Sequence, residues 1–138
     1  MKTWKLGLLR AAAIVAALFG ALTIRSGGSV LFGAPEAAQA AGNAVPFVVW
    51  FNFIAGFTYV AAAIGLWRAR RWGAWAAIGI AGATAVVFAL FGIHAATGGA
   101  FEMRTVWAMT LRTGLWTVIA VLAFFAASAA SAKDSHAQ

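Results

Sequence analysis

The chain has 138 residues, enough for one domain, and 64% of them are hydrophobic while only 9% are charged. Soluble domains carry about 25% charged residues, and a soluble fold of this length could not bury so much apolar surface. The composition therefore excludes an ordinary soluble protein and predicts a single membrane domain over residues 1–138.

The basic character of the chain needs an explanation. A net charge of +7 is common among proteins that bind nucleic acid. Here, however, the basic residues stand in short clusters between long apolar runs, which is typical of membrane orientation and argues against a nucleic-acid partner. The chain has no cysteine, which excludes disulfides, thiolate metal sites and cysteine nucleophiles.

Four apolar segments are long enough to cross a bilayer, since a membrane helix needs about 20 mostly apolar residues. The predicted spans are residues 6–24, 45–67, 72–96 and 106–127. The last span contains Arg112, and a shorter version that starts at Thr113 would leave this charge outside the membrane; we prefer the longer one. The pattern predicts an all-α integral membrane four-helix bundle whose neighbours are antiparallel, in up-and-down order.

A secretory signal peptide is the alternative for the first segment. Ala38-Gln39-Ala40 resembles a cleavage site. The apolar run ends near Ile24, well before that site, so we expect an uncleaved membrane span.

The distribution of basic residues predicts the orientation, because such residues favour the cytoplasmic side. One side carries seven of them: Lys2, Lys5, Arg10, Arg68, Arg70, Arg71 and Lys133. The other side carries three: Arg25, Arg104 and Arg112. We therefore expect a multi-pass protein of a bacterial-type plasma (inner) membrane, with both termini and the tail 128–138 in the cytoplasm.

The first outer connection, residues 25–44, is expected to begin with a flexible Ser26-Gly27-Gly28 segment and to contain a short helix. Pro35 and Glu36 suit the first turn of that helix and Gly42 suits its end. We expect it to lie in the membrane interface or to cap the bundle.

Small residues recur every four positions in two of the predicted spans. They are Ala13, Ala17 and Ala21 in the first span, and Gly73, Ala77, Ala81, Ala85 and Ala89 in the third. Such residues let helix backbones approach closely in lipid. They predict seams, either within one bundle or between subunits of an oligomer.

Polar residues within and beside the spans gather at one depth, near the predicted outer side. Such residues are costly in lipid and are candidates for a functional site. The predicted ligand-binding set is Asn52, Tyr59, His94, Glu102, Arg104, Trp107 and Arg112. The structural alternative is an interhelical polar network in which Arg112 pairs with Glu102 or Glu36, and the spacing along the chain favours Glu36.

Three functions stay open at this stage. The first is a non-catalytic accessory or interaction subunit of a membrane complex, with lipid and other membrane subunits, or copies of itself, as partners. The second is the binding of a quinone- or lipid-like ligand at the polar cluster, including a redox-linked role. The weaker third is the handling of copper or another metal, with His94, Glu102, Met103 and Met109 as candidate ligands. The chain carries no catalytic motif, so a non-catalytic protein is favoured over an enzyme. No motif in the sequence points to a particular cofactor.

Overall fold

The computed structural model describes the backbone of residues 2–135 and the side chains of residues 2–128. Within that part the chain is all-helical, without a strand. Its helices are α1 (Thr3–Phe32), α2 (Pro35–Ala41), α3 (Pro46–Trp67), α4 (Arg71–Ala96) and α5 (Met103–Ser135). All except α2 are long and apolar enough to cross a membrane. The prediction of a helical membrane protein with four candidate spans is confirmed.

The helix α1 is about three turns longer than the predicted span, mostly at its C-terminal end. It continues beyond Ile24 and passes through Ser26, Gly27 and Gly28, which we expected to open a flexible loop. Packing explains the difference, because Gly27 lies directly against Phe53 of α3 and an added Cβ would stand only 3.0 Å from the Cβ of Phe53. A close helix–helix contact of this kind offsets the low helix propensity of glycine.

The helix α5 is also longer than predicted, at both ends. It begins at Met103, so Arg112 lies nine residues inside a continuous helix rather than at its start. At the other end the helix continues to Ser135, through most of the predicted tail 128–138, because neither proline nor glycine interrupts the alanine-rich sequence there. Residues 136–138 of that tail lie outside the described part.

The predicted short helix is present as α2. Pro35 occupies its first turn together with Glu36, and Gly42 ends it with φ +62°, a conformation that suits glycine. The helix α2 packs against α1. The connection between α1 and α3 is short on both sides of α2, because α1 continues to Phe32 instead of ending near Ile24 as expected.

The long helices pack in a definite order. The helix α1 packs along α3, α3 packs on α4, and α4 packs on α5, whereas α1 and α5 touch each other at few positions. Along the α1–α3 contact, Gly20 lies against Gly56, Gly27 lies against Phe53, and the rings of Phe32 and Trp50 are 5.6 Å apart. The numbering thus rises along α1 while it falls along α3.

The predicted seams of small residues are buried only in part. In α1 Ala13 is buried and Ala21 is exposed, and in α4 Ala77 is buried whereas Ala89 is exposed. A strict four-residue repeat turns about 40° further at each step, because an α-helix has 3.6 residues per turn. The buried face of α1 mixes steps of three and four residues instead; it comprises Leu9, Ala13, Ala16, Gly20, Thr23 and Gly27.

Candidate functional site

A layer of polar side chains separates two clusters of buried apolar residues. The larger side chains of the clusters are Tyr59, Ile80 and Trp116 in one and Val48, Phe91 and Met109 in the other. Between these clusters α3 contributes Asn52, α4 contributes Thr84 and α5 contributes Arg112. On each of these three helices, one polar residue therefore lies between the residues that belong to the first apolar cluster and those that belong to the second.

A cleft of about 480 Å³ lies between α1, α3 and α5, with α2 at one end. Its walls are mainly small apolar side chains: Ala40, Ala44, Val45, Val48 and Ala108. On each of the helices α1, α3 and α5 the lining residue farthest from α2 is polar, and we call these three residues the cleft floor: Thr23, Asn52 and Arg112. Glu102 and Arg104, at the end of the cleft where α5 begins, form the cleft rim.

Arg112 has no charged partner at the cleft floor. Its guanidinium carbon lies 5.7 Å from the centre of the Phe19 ring, and its Nε atom is buried without a hydrogen-bond partner in the described part of the chain. Neither Glu36 nor Glu102 forms a salt bridge with it. The remaining acid, Asp134, stands 22 residues further along α5, about 33 Å at 1.5 Å per residue. The predicted pairing of Arg112 with Glu102 or Glu36 is therefore wrong.

The reason for the unpaired arginine is distance along the helix. Glu102 precedes Arg112 by ten residues, which corresponds to about 15 Å of helix. Its carboxylate has another role, because Glu102 Oε1 accepts a hydrogen bond of 2.9 Å from the backbone N–H of Asn43.

Buried polar atoms without protein partners concentrate around the cleft floor. In the described side chains these atoms are Asn52 Oδ1, Tyr59 Oη, Thr84 Oγ1, Arg112 Nε and Trp116 Nε1. The Tyr59 hydroxyl lies close to the Thr84 hydroxyl and to the Arg112 guanidinium, but in hydrogen-bonding geometry with neither. Buried polar groups are nearly always hydrogen-bonded, and each exception costs about 1–3 kcal/mol. Two of these atoms, Asn52 Oδ1 and Arg112 Nε, belong to residues that line the cleft, where a bound polar group would be close to both.

The cleft rim ties α2 to the start of α5. Arg104 Nη2 donates a hydrogen bond of 2.9 Å to the carbonyl oxygen of Ala40, in α2, and Glu102 holds the backbone of Asn43, just after it. Both bonds join residues about 60 positions apart in the sequence. They position α2 at one end of the cleft.

Two of the predicted site residues lie away from the cleft. His94 Nε2 donates to the carbonyl oxygen of Ala100 at 3.0 Å, and the His94 ring packs edge-on against Phe47 with 6.3 Å between the ring centres. Trp107 is 69% exposed. Neither residue lines the cleft.

Four of the seven predicted residues come together as cleft lining: Asn52, Glu102, Arg104 and Arg112. Tyr59 lies beside Arg112 at the floor without lining the cleft. Sequence reasoning missed Thr23, which lines the floor, and Thr84, which is fully buried near Tyr59. Threonine gives a weak signal in a membrane helix, because its hydroxyl can bond to the carbonyl of the preceding turn.

A metal centre of histidine and carboxylate ligands has no support in the part of the chain that is described. No three side chains among histidine, aspartate and glutamate come close enough there to hold an ion. His94 and Glu102 each already bond to backbone, to Ala100 and Asn43 respectively.

Comparison with protein-family models, with curated proteins and with solved structures finds no significant match to this chain. The cleft and its polar floor are therefore the features of this protein that indicate a function.

Proposed function

We propose that this protein binds a lipid- or quinone-like molecule in the cleft between α1, α3 and α5. One observation carries the proposal: a cleft of about 480 Å³ combines apolar walls with a floor at which Asn52 and Arg112 have buried atoms without partners. Ligand sites are typically concave, of roughly 300–1,000 Å³, and mostly apolar with a few convergent polar groups. The bound molecule would place its polar group at the floor and its apolar body along the walls.

The proposed setting is a bacterial-type inner membrane, with residues 1–138 forming one domain and both termini in the cytoplasm. The helices α1, α3, α4 and α5 would cross the bilayer as an antiparallel, up-and-down bundle. The opposite numbering along the α1–α3 contact supports this arrangement, as do the short connections on both sides of α4. The excess of basic residues at the termini and in the α3–α4 turn supports the orientation.

An accessory subunit of a membrane complex is the competing function. Its helices would expose apolar side chains to a protein partner rather than to lipid. Exposed apolar residues occur on all four long helices, for example Leu18, Ile54, Ile93 and Phe125. Since lipid contact alone requires such surfaces, they favour no particular docking face.

The ligand proposal is tested by filling the cleft. Ala108 lines the cleft, whereas Ala85 is exposed on α4 and does not line it. Ala108→Phe and Ala85→Phe thus add the same ring inside and outside the cleft. The wild type and Ala85→Phe should copurify in mild detergent with the same apolar molecule, identified by mass spectrometry, and Ala108→Phe should lose it while keeping its helical circular dichroism.

Two results would count against ligand binding. Equal retention of every copurifying lipid by all three proteins would place those lipids on the outer surface rather than in the cleft. A ligand-free protein that always copurifies with one other membrane protein would favour the accessory subunit instead.

A further inference from the structure

The charge of Arg112 indicates which chemical class of ligand the cleft would bind. This arginine stands about 14 Å along α5 from Met103 at 1.5 Å per residue, within a candidate membrane span. A charged group at such a depth is costly unless it is paired or hydrated. Within the chain, neither Glu36 nor Glu102 forms a salt bridge with it, and Asp134 is too far along the helix. An anion supplied by a bound molecule would balance this charge.

The floor presents mainly hydrogen-bond donors. The Arg112 guanidinium offers several N–H groups in one plane, and the hydroxyl of Thr23, which also lines the floor, can donate one bond. Asn52 can present its amide nitrogen instead of its oxygen by rotating the amide group. An oxyanion accepts many such bonds and matches a guanidinium in a two-point geometry. A neutral carbonyl, such as that of a quinone, would accept two bonds and leave the positive charge unbalanced.

The shape of the cleft indicates a chain attached to the anion. Above the floor the walls consist of small apolar residues, including Val45, Val48 and Ala108, which suit methylene groups. The helices α1 and α5 touch at few positions, and the cleft lies between them. An alkyl chain can therefore leave the cleft sideways, between α1 and α5, toward the lipid.

We propose that the cleft floor binds an oxyanion, a carboxylate or a phosphate, carried by an amphiphile whose alkyl chain leaves between α1 and α5, with Arg112 as its charged partner. This inference rests on the proposed function, because it names the class of ligand for the same cleft. The protein would thereby select anionic amphiphiles over neutral ones of equal chain length.

Three probes with matched features test the selection: dodecyl phosphate, dodecanol and inorganic phosphate. The full-length protein is kept in micelles of an uncharged maltoside detergent, and native mass spectrometry gives the fraction of protein that keeps one adduct at equal mole fractions of probe. Dodecyl phosphate should bind about tenfold or more tightly than dodecanol, as expected for a charge-assisted bidentate contact. Inorganic phosphate in the buffer should not displace it.

Substitution of the arginine tests its role. Arg112→Gln should lower dodecyl phosphate binding about tenfold or more, while dodecanol binding stays within about twofold. Arg25→Gln is the matched control, because Arg25 is exposed on α1 and does not line the cleft. If Arg112→Gln fails to fold, the preference for an anion is still tested by comparing the probes on the wild-type protein. Dodecyltrimethylammonium is then added as a cationic probe, and it should bind no better than dodecanol.

The outcomes separate the two proposals. Equal binding of dodecyl phosphate and dodecanol, unchanged by Arg112→Gln, would overturn the anionic ligand and leave an apolar-ligand cleft standing. Displacement of dodecyl phosphate by inorganic phosphate at similar concentration would overturn the amphiphile and indicate a site for a free anion. Binding of none of the probes, together with no copurifying ligand, would overturn both proposals.

Discussion

Tyr59 combines a tightly packed ring with a hydroxyl that has no hydrogen-bond partner among the described residues. The ring is fully buried, 4.8 Å from the Trp116 ring and 6.4 Å from the Phe19 ring, measured between centres. In the ligand-free protein, Tyr59→Phe should leave the free energy of unfolding within about 1 kcal/mol of the wild type, because it removes an unsatisfied group and keeps the ring. Tyr59→Ala should lower it by about 3–5 kcal/mol.

Reversible unfolding in mixed detergent micelles, followed by circular dichroism, measures both Tyr59 variants. A loss of more than about 2 kcal/mol in Tyr59→Phe would mean that the hydroxyl forms a hydrogen bond in the folded, ligand-free protein.

The shared level of Asn52 and Arg112 was predictable from the sequence, whereas the position of His94 was not. Counting residues from the span ends placed Asn52, His94 and Arg112 near one level, and Asn52 and Arg112 do line one cleft. His94 lies elsewhere because it stands ten residues beyond Thr84, the α4 residue at the level of Asn52 and Arg112, which is about 15 Å along the helix. The length of an apolar run does not show which of its residues lies level with a residue of a neighbouring helix, since packing between the helices sets that register.

At the scale of elements, the α3–α4 hairpin depends on two glycines in contact. A Cβ added to Gly73 would stand 2.5 Å from the carbonyl carbon of Gly65 and 2.7 Å from the nitrogen of Leu66, so the backbones would have to separate. Gly73→Ala should therefore lower the free energy of unfolding by about 1–3 kcal/mol. Gly79, on the same helix, has nothing within 4 Å of an added Cβ.

Gly79→Ala is thus the matched control for Gly73→Ala. It should leave the stability unchanged or raise it by about 0.5–1 kcal/mol, through the higher helix propensity of alanine. Unfolding of both variants under the same detergent conditions makes the comparison. Equal effects of the two substitutions would show that the close approach of α3 and α4 contributes little.

The helix α2 owes its place to bonds made by the start of α5. Glu102→Ala removes the acceptor of the Asn43 N–H, and the amides of residues 36–43 should then exchange with deuterium about threefold to tenfold faster, the equivalent of one net hydrogen bond. Glu36→Ala removes the same charge from α2 itself without touching this bond. Unchanged exchange in Glu102→Ala, measured by mass spectrometry, would show that other contacts hold α2.

The helices themselves were largely predictable, and their ends less so. The spans α3 and α4 match the expected 45–67 and 72–96 within one residue. Pro46 marks the start of α3, Arg68 follows its end, and the turn at residues 97–102 follows the end of α4. The extension of α1 through Gly27 was not predictable, because it depends on a contact with Phe53 in another helix. The sequence alone shows how long the apolar segment of a helix is. Whether a glycine-rich end of that helix stays helical depends on contacts with other helices.

At the scale of the whole molecule, the testable property is its orientation in the membrane. The basic residues at the N-terminus and in the α3–α4 turn place these parts on the cytoplasmic side if the positive-inside rule holds. Three candidate spans, α1, α3 and α4, separate Thr3 from Ala100. These two residues should therefore face opposite sides of the membrane, with Ala100 outside.

The natural absence of cysteine makes this prediction simple to measure, since any single introduced cysteine is the only thiol. Thr3 and Ala100 are both exposed, so Thr3→Cys and Ala100→Cys should leave the packing undisturbed. In intact bacterial cells a membrane-impermeant maleimide should label Ala100→Cys, and it should label Thr3→Cys only after permeabilisation. Labelling in the reverse order would overturn the orientation but keep the number of crossings. Labelling of both in intact cells would place Thr3 and Ala100 on one side, which is incompatible with three crossings between them.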